Sequence, residues 1–231
     1  MAKKTRTPAP PRPVQAPQRR KTGKGKTAAP GDERKKWMLL AFAASGVVGL
    51  AIVAAVIALT SGSSNANAAG VPDAMRAAGC TYKSVPAKSR EHVQSLNTKI
   101  HYATSPPTSG KHYAVPATWG FYTSPANPIQ VVHNQEHGGV ILWWGDKVPS
   151  STVDKLHSFY SSSPNAMLGT PYASLGNKVA ISAWSAPSGG MGNGHLAVCT
   201  GFNEKAFKTF RDAFRGKGPE RFPVSELRPG T

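Results

Sequence analysis

The chain has 231 residues, 28 Lys and Arg against 11 Asp and Glu, a formal net charge of +17, and two cysteines. These numbers exclude a uniform soluble domain, because the charge is unevenly spread. The first 36 residues hold twelve Lys and Arg against Asp32 and Glu33, the next 23 hold no charge, and residues 60–231 carry only +7.

Residues 1–36 are rich in Pro, Lys, Arg, Thr and Ala and contain no aromatic side chain before Trp37, the composition of a disordered basic tail. A polybasic strip beside a membrane is drawn to anionic lipid head groups. Nothing in it can stack on a base, so no specific nucleic-acid partner is expected. Residues 37–59, WMLLAFAASGVVGLAIVAAVIAL, have the length and uncharged character of a transmembrane helix, since about 20 residues cross a hydrocarbon core of about 30 Å. The flanking charge places the N-terminus in the cytoplasm and the C-terminal part outside the cell membrane. The competing reading is a signal peptide cleaved near Ala68, after ANA at 66–68. The apolar stretch is longer than a signal peptide needs, and ANA lies well past its end. Residues 60–71 read as a Ser/Asn/Ala/Gly linker, and residues 72–231 as one extracytoplasmic domain.

Within that domain the expected fold is α+β: a small, mostly antiparallel sheet with two or three helices, preceded by the one transmembrane helix. Strands are expected at 139–144 and 179–184, with weaker candidates at 98–103 and 195–199. Asn127-Pro128 predicts a capped helix from Pro128 to His137, stopped by Gly138. Ser151-x-x-Asp154 resembles a capping box, with Val153, Leu156 and Tyr160 on one face behind it. Asn203 caps a further helix whose Phe207, Phe210 and Phe214 share a face, closed by Gly216.

VVHNQEHGGV, residues 131–140, carries H-x-x-E-H, the spelling of one class of zinc peptidases. On a helix, His133 and His137 lie one turn apart and can share an ion. A peptidase also needs a third ligand, for which Glu204 is the nominee, and an open coordination position. HYATSPPTSGKHY, residues 101–113, adds His101 and His112 at the ends of a rigid turn made by Pro106, Pro107, Thr108, Ser109 and Gly110. The candidate metal ligands are His112, His133 and His137, with His101 and His92 behind them and Glu136 orienting the rings from a second shell. The cofactor such a set suits is zinc or copper. The alternatives are a structural network in which the histidines satisfy buried backbone groups, within an envelope module that binds a protein partner, and a hydrolase using Glu136 as general base. Phosphate-cradling, dinucleotide, haem-attachment and nucleophile-elbow motifs are absent from the sequence.

Cys80 and Cys199, both on the expected outside, read as a disulfide. The rival is a soft copper site, because Met191, His195 and Cys199 follow at four-residue intervals.

Taken in order, GC at 79–80, PPTSGKH at 106–112, WGFY at 119–122, VVHNQEHGGV at 131–140, SAW at 182–184 and GPE at 218–220 resemble the bacterial family DUF3105 over about residues 75–222. The resemblance implies a membrane-anchored, extracytoplasmic domain and supplies no catalytic mechanism. That family usually has Leu where this chain has Gln135.

Overall fold

The computed structural model describes residues 68–187 and 190–231. The expected tail, the expected span and most of the linker lie outside the described residues. Among the described residues, no helix is long and apolar enough to cross a membrane.

Four α-helices, α1 (Val71–Ala77), α2 (Pro128–Glu136), α3 (Ser150–Ser161) and α4 (Glu204–Phe214), are described. The strands are β1 (Cys80–Pro86), β2 (His92–Val93), β3 (His112–Tyr113), β4 (Val140–Trp144), β5 (Met167–Pro171), β6 (Val179–Ser185) and β7 (Asn193–Cys199). Five of them form one sheet in the order β1-β7-β6-β4-β5, while β2 and β3 pair separately. The fold is therefore α+β, with one helix more than the expected upper bound. The sheet is mixed: β4 runs parallel to β5, and the other three pairings are antiparallel. A helix-length connection containing α3 carries the chain back to the starting end, which a parallel pair requires.

The two faces of the sheet differ in chemistry. Val140, Leu142 and Trp144 of β4 and Ile181 and Ala183 of β6 bury against α1, α3 and α4, where Met75, Leu156, Phe207, Phe210 and Phe214 meet them. Each Val, Leu, Ile, Phe or Met side chain among them contributes roughly 1.5–3 kcal/mol by leaving water. The intervening residues Ile141, Trp143 and Ala180 face the other way, toward Val131 of α2 and Trp119. Polar groups mark this second face. Trp143 Nε1 donates to Ser182 Oγ, and Ser182 Oγ donates to Gln135 Oε1, each at 2.8 Å.

Local expectations fail in three places. Ser151 is not a cap: α3 begins at Ser150, two residues before a Ser151 cap would start it, with Pro149 at the cap position and no side-chain cap bond. Residues 98–103 form no strand, since Ile100 and Tyr102 line a cavity rather than extend the sheet. The copper reading at Met191, His195 and Cys199 is also overturned, because Cys199 is disulfide-bonded to Cys80. The bond joins register partners on β1 and β7 across a separation of 119 residues. Closing a loop of that size stabilises the fold by about 5 kcal/mol in the chain-entropy model.

Candidate metal centre

Helix α2 carries the site and is buried at seven of its nine positions. Asn127 caps it by accepting the Ile129 N–H at 3.0 Å, and Pro128 supplies a preset first turn. At its end Gly138 takes φ +91°, where a side chain would be strained and a Cβ would press on Gly216 at 2.8 Å. The chain after α4 packs onto this terminus: the Gly216 N–H donates to Gly138 O and the Glu220 N–H to Glu136 O. A Cβ at Gly218 would lie 2.1 Å from Glu136 O, so only glycine lets this segment approach and bring Glu220 to the site.

The other ligand-bearing segments converge on α2 from outside the main sheet. Strands β2 and β3 run parallel with His92 opposite His112, so two residues of pairing place both rings together. The turn before His112 is anchored by Gln135, whose Nε2 donates to Pro107 O at 3.0 Å. Pro106, Pro107, Thr108 and Ser109 are buried.

Each buried ring is oriented through one nitrogen. His112 Nδ1 donates to Gly110 O at 2.7 Å, and His133 Nδ1 donates to Tyr113 O at 2.8 Å. These bonds leave Nε2 of each ring as the free ligand atom, the arrangement that metal-binding histidines adopt. His92, His112, His133 and Glu136 each offer a ligand atom, and all four lie within 4.8 Å of one another. His133 belongs also to a second group, with His137 and Glu220. Its Nε2 is 3.0 Å from His137 Nε2, and His137 Nε2 is 3.3 Å from Glu220 Oε2.

Arg90 links the two groups. It donates to Glu136 Oε1 at 2.7 Å and to Glu220 Oε1 at 3.2 Å, leaving the second oxygen of each carboxylate facing a histidine. Burial raises the Glu136 pKa, but the close His112 ring and the hydrogen bond and charge of Arg90 outweigh it and hold the group down at about 2. Burial, reinforced by the neighbouring His137 and His112, lowers His133 to about 4 against the raising effect of the Tyr113 carbonyl and Glu136.

One contact lacks its complement. His112 Nε2 lies 2.9 Å from Glu136 Oε2, but off the direction of a ring N–H, and both buried atoms have no hydrogen-bond partner. The contact is electrostatic. A ring lone pair facing a carboxylate oxygen in a buried setting is repulsive unless a cation stands between them, either a proton or a metal ion.

The structure thus brings His92, His112, His133 and Glu136 together, with Glu136 among the ligand atoms rather than behind them, and sets His137 to one side with Glu220. It does not bring in His101, which is exposed on the wall of a cavity of about 520 Å³ beside Tyr102, Lys88 and Lys99. Glu204 opens α4 and belongs to neither group, so the peptidase ligand nominated for it is not supplied. His157 packs edge-on against Phe121. Sequence reasoning missed Arg90 and Glu220. Glu220 stood in the GPE motif, and Arg90 lay two residues before His92, but neither has local spacing that ties it to α2.

A buried histidine–carboxylate cluster on an α+β scaffold defines a protein with a candidate metal centre. The family model described as "Protein of unknown function (DUF3105)" matches residues 92–225, and the chain belongs to that family. The matched segment begins at His92 and contains every residue of both groups, whereas β1 and Cys80 precede it. No curated protein and no solved structure matches the chain.

Proposed function

We propose that this chain is a single-pass, membrane-anchored protein whose extracytoplasmic domain binds one transition-metal ion, zinc or copper, through His92, His112, His133 and Glu136. The observation that carries the reading is the buried pair His112 Nε2 and Glu136 Oε2, which face each other without a directed hydrogen bond. An ion bound to both satisfies them together. Zinc–nitrogen and zinc–oxygen bonds of about 2.0–2.2 Å require the four ligand atoms to draw in from their present spread. His92, on a two-residue strand with its side chain 39% exposed, is the ligand freest to do so.

The four protein ligands fill a tetrahedral shell and leave no open position, which favours binding over hydrolysis. Glu136 is also poorly suited to be a general base, because Arg90 and His112 hold it far below the near-neutral pKa that role requires. The anchor rests on the uncharged residues 37–59 and the basic residues before them. The Cys80–Cys199 disulfide supports an oxidising compartment.

Elemental analysis of the purified chain, with His112→Ala beside it, tests the metal reading. One equivalent of zinc or copper is expected in the wild type and none in the variant. Metal-free wild type after exposure to both ions would leave the histidines a structural network. Protease added to intact cells should remove the C-terminal domain and spare the basic tail, and digestion of the tail would refute the orientation.

A further inference from the structure

The two ligand groups share one residue, His133, and this sharing has consequences for how an ion enters. His133 Nδ1 is committed to Tyr113 O, so His133 can coordinate only through Nε2. His133 belongs with His92, His112 and Glu136 on one side and with His137 and Glu220 on the other, and Nε2 is the nitrogen it can offer to either. A neutral imidazole nitrogen has one lone pair, so the two groups cannot each hold an ion through His133 at the same time.

Their burial is graded. His112 and Glu136 are fully buried, and the side chains of His137 and Glu220 are 13% and 38% exposed. Solvent therefore reaches the buried His112–Glu136 pair last, either past the exposed ring of His92 or past His137 and Glu220. Arg90 spans both carboxylates, one oxygen each, and fixes Glu136 and Glu220 a single guanidinium apart.

We propose that His137 and Glu220, together with His133, form an entry port that loads the inner centre, with His133 as the pivot that stays bound throughout. This rests on the metal reading above and adds the route. Without metal, the hydrogen-bond pattern places the proton between the rings on His137 Nε2, donating to His133 Nε2. An arriving divalent cation is held by His133, His137 and Glu220 once His137 gives up its Nε2 proton to solvent and takes one from solvent at Nδ1, so that the ring stays neutral and Nε2 offers a lone pair. It then exchanges His137 and Glu220 for His112, His92 and Glu136 while keeping its bond to His133, and His137 returns to the tautomer protonated on Nε2 with no net change in protons. No oxidation state changes, and the ion moves only between ligands that lie within 4.8 Å of the shared residue. The bland alternative is that His137 and Glu220 merely complete a surface hydrogen-bond chain, in which case they have no effect on metal kinetics.

A port and a ligand set are separable by rate and equilibrium. Removing a group that serves only the route slows entry and exit by the same factor, because the two end states are unchanged. Removing an inner ligand raises the exit rate and lowers affinity. The experiment is stopped-flow zinc uptake by the metal-free full-length chain, and zinc release to a chelator, for the wild type, His137→Ala, Glu220→Gln and Glu136→Gln. Glu220→Gln is half-exposed and isosteric, so it serves where His137→Ala disturbs the fold. The expected result is a fall of about tenfold in both rates for His137→Ala and Glu220→Gln, a stoichiometry of one, and weakened affinity only for Glu136→Gln. Unchanged rates overturn the port, as does a stoichiometry of two, or a loss of affinity for the outer variants matching that of Glu136→Gln. If the wild type binds no zinc at all, the metal reading itself fails for that ion. If it binds zinc and the outer variants behave as wild type, only the route fails.

Discussion

His195 and His112 are both buried, yet the two faces of one sheet treat them in opposite ways. On the face covered by α4, His195 has a hydroxyl on each ring nitrogen: Tyr82 at 2.8 Å from Nδ1 and Ser185 at 2.7 Å from Nε2. Its ring stacks on Phe214 with centroids 4.0 Å apart. Nothing is left over. On the face covered by α2, His112 and His133 each place one nitrogen on a backbone carbonyl, and the other turns toward a neighbouring ligand group. A histidine whose hydrogen bonds close on themselves is part of the packing. Histidines whose free nitrogens converge beside a carboxylate are a site.

The largest expected effect lies on the packing face. Phe210 is fully buried against Tyr82 and Phe214. Phe210→Ala should cost about 3–5 kcal/mol of stability in urea denaturation. If the faces are independent, zinc affinity of the folded fraction stays within about twofold. A large fall in affinity would show that the centre depends on the packing face and would break the comparison.

A second test uses proton linkage. Burial lowers the His195 pKa to about 4. The folded state therefore keeps His195 neutral where the unfolded chain already takes a proton. Stability from this residue is complete above about pH 6.5 and is lost as pH falls toward 4, by up to about 3 kcal/mol. His195→Phe keeps the stack on Phe214 and should flatten the stability profile between pH 6.5 and 4 relative to wild type. The His133 contribution in the same window remains in both proteins, so the difference between the two curves isolates His195. Parallel curves would mean that His195 titrates normally and is not held neutral.

The smallest effect concerns Gln135, which belongs to the site face without offering a ligand. Its bonds to Pro107 O and Ser182 Oγ tie the PPTSG turn and β6 to α2. Gln135→Leu removes them and should destabilise the metal-free chain by about 1–3 kcal/mol, the cost of leaving buried polar groups unpaired. Zinc affinity, followed by competition with a chelating dye, should weaken far less than in His112→Ala.

How much of this was legible in the sequence depends on the range of the signal. Helix α2 could be read from Asn127, Pro128 and Gly138, and α4 from Asn203 and the spacing of Phe207, Phe210 and Phe214, because caps and periodicity are local. Strands β4 and β6 announced themselves as apolar runs. Strand β5 contains Gly169 and Pro171, residues that speak against a strand, and β1 is an edge strand with Lys83 and Ser84 in it. The parallel β4–β5 pair was hidden because pairing direction is decided by the intervening connection.

The same limit explains the site. Spacing on one helix joined His133 to His137, whereas the buried centre joins His133 to His112 and His92 across a two-residue strand pair. Glu220 arrives by the close approach of Gly218 to the end of α2, 84 residues beyond Glu136. Burial also separated His133 of α2 from His137 just past its end, two residues that sequence alone made equivalent. His133 turns inward, and His137 remains at the rim.

X-ray absorption at the metal edge of the stoichiometrically loaded, full-length protein tests the central claim most directly. The account predicts one ion per chain with a first shell of three imidazole nitrogens and one carboxylate oxygen at about 2.0–2.2 Å and no sulfur, and the loss of a nitrogen in His112→Ala. A sulfur-containing shell, or a first shell unaltered by His112→Ala, would contradict it.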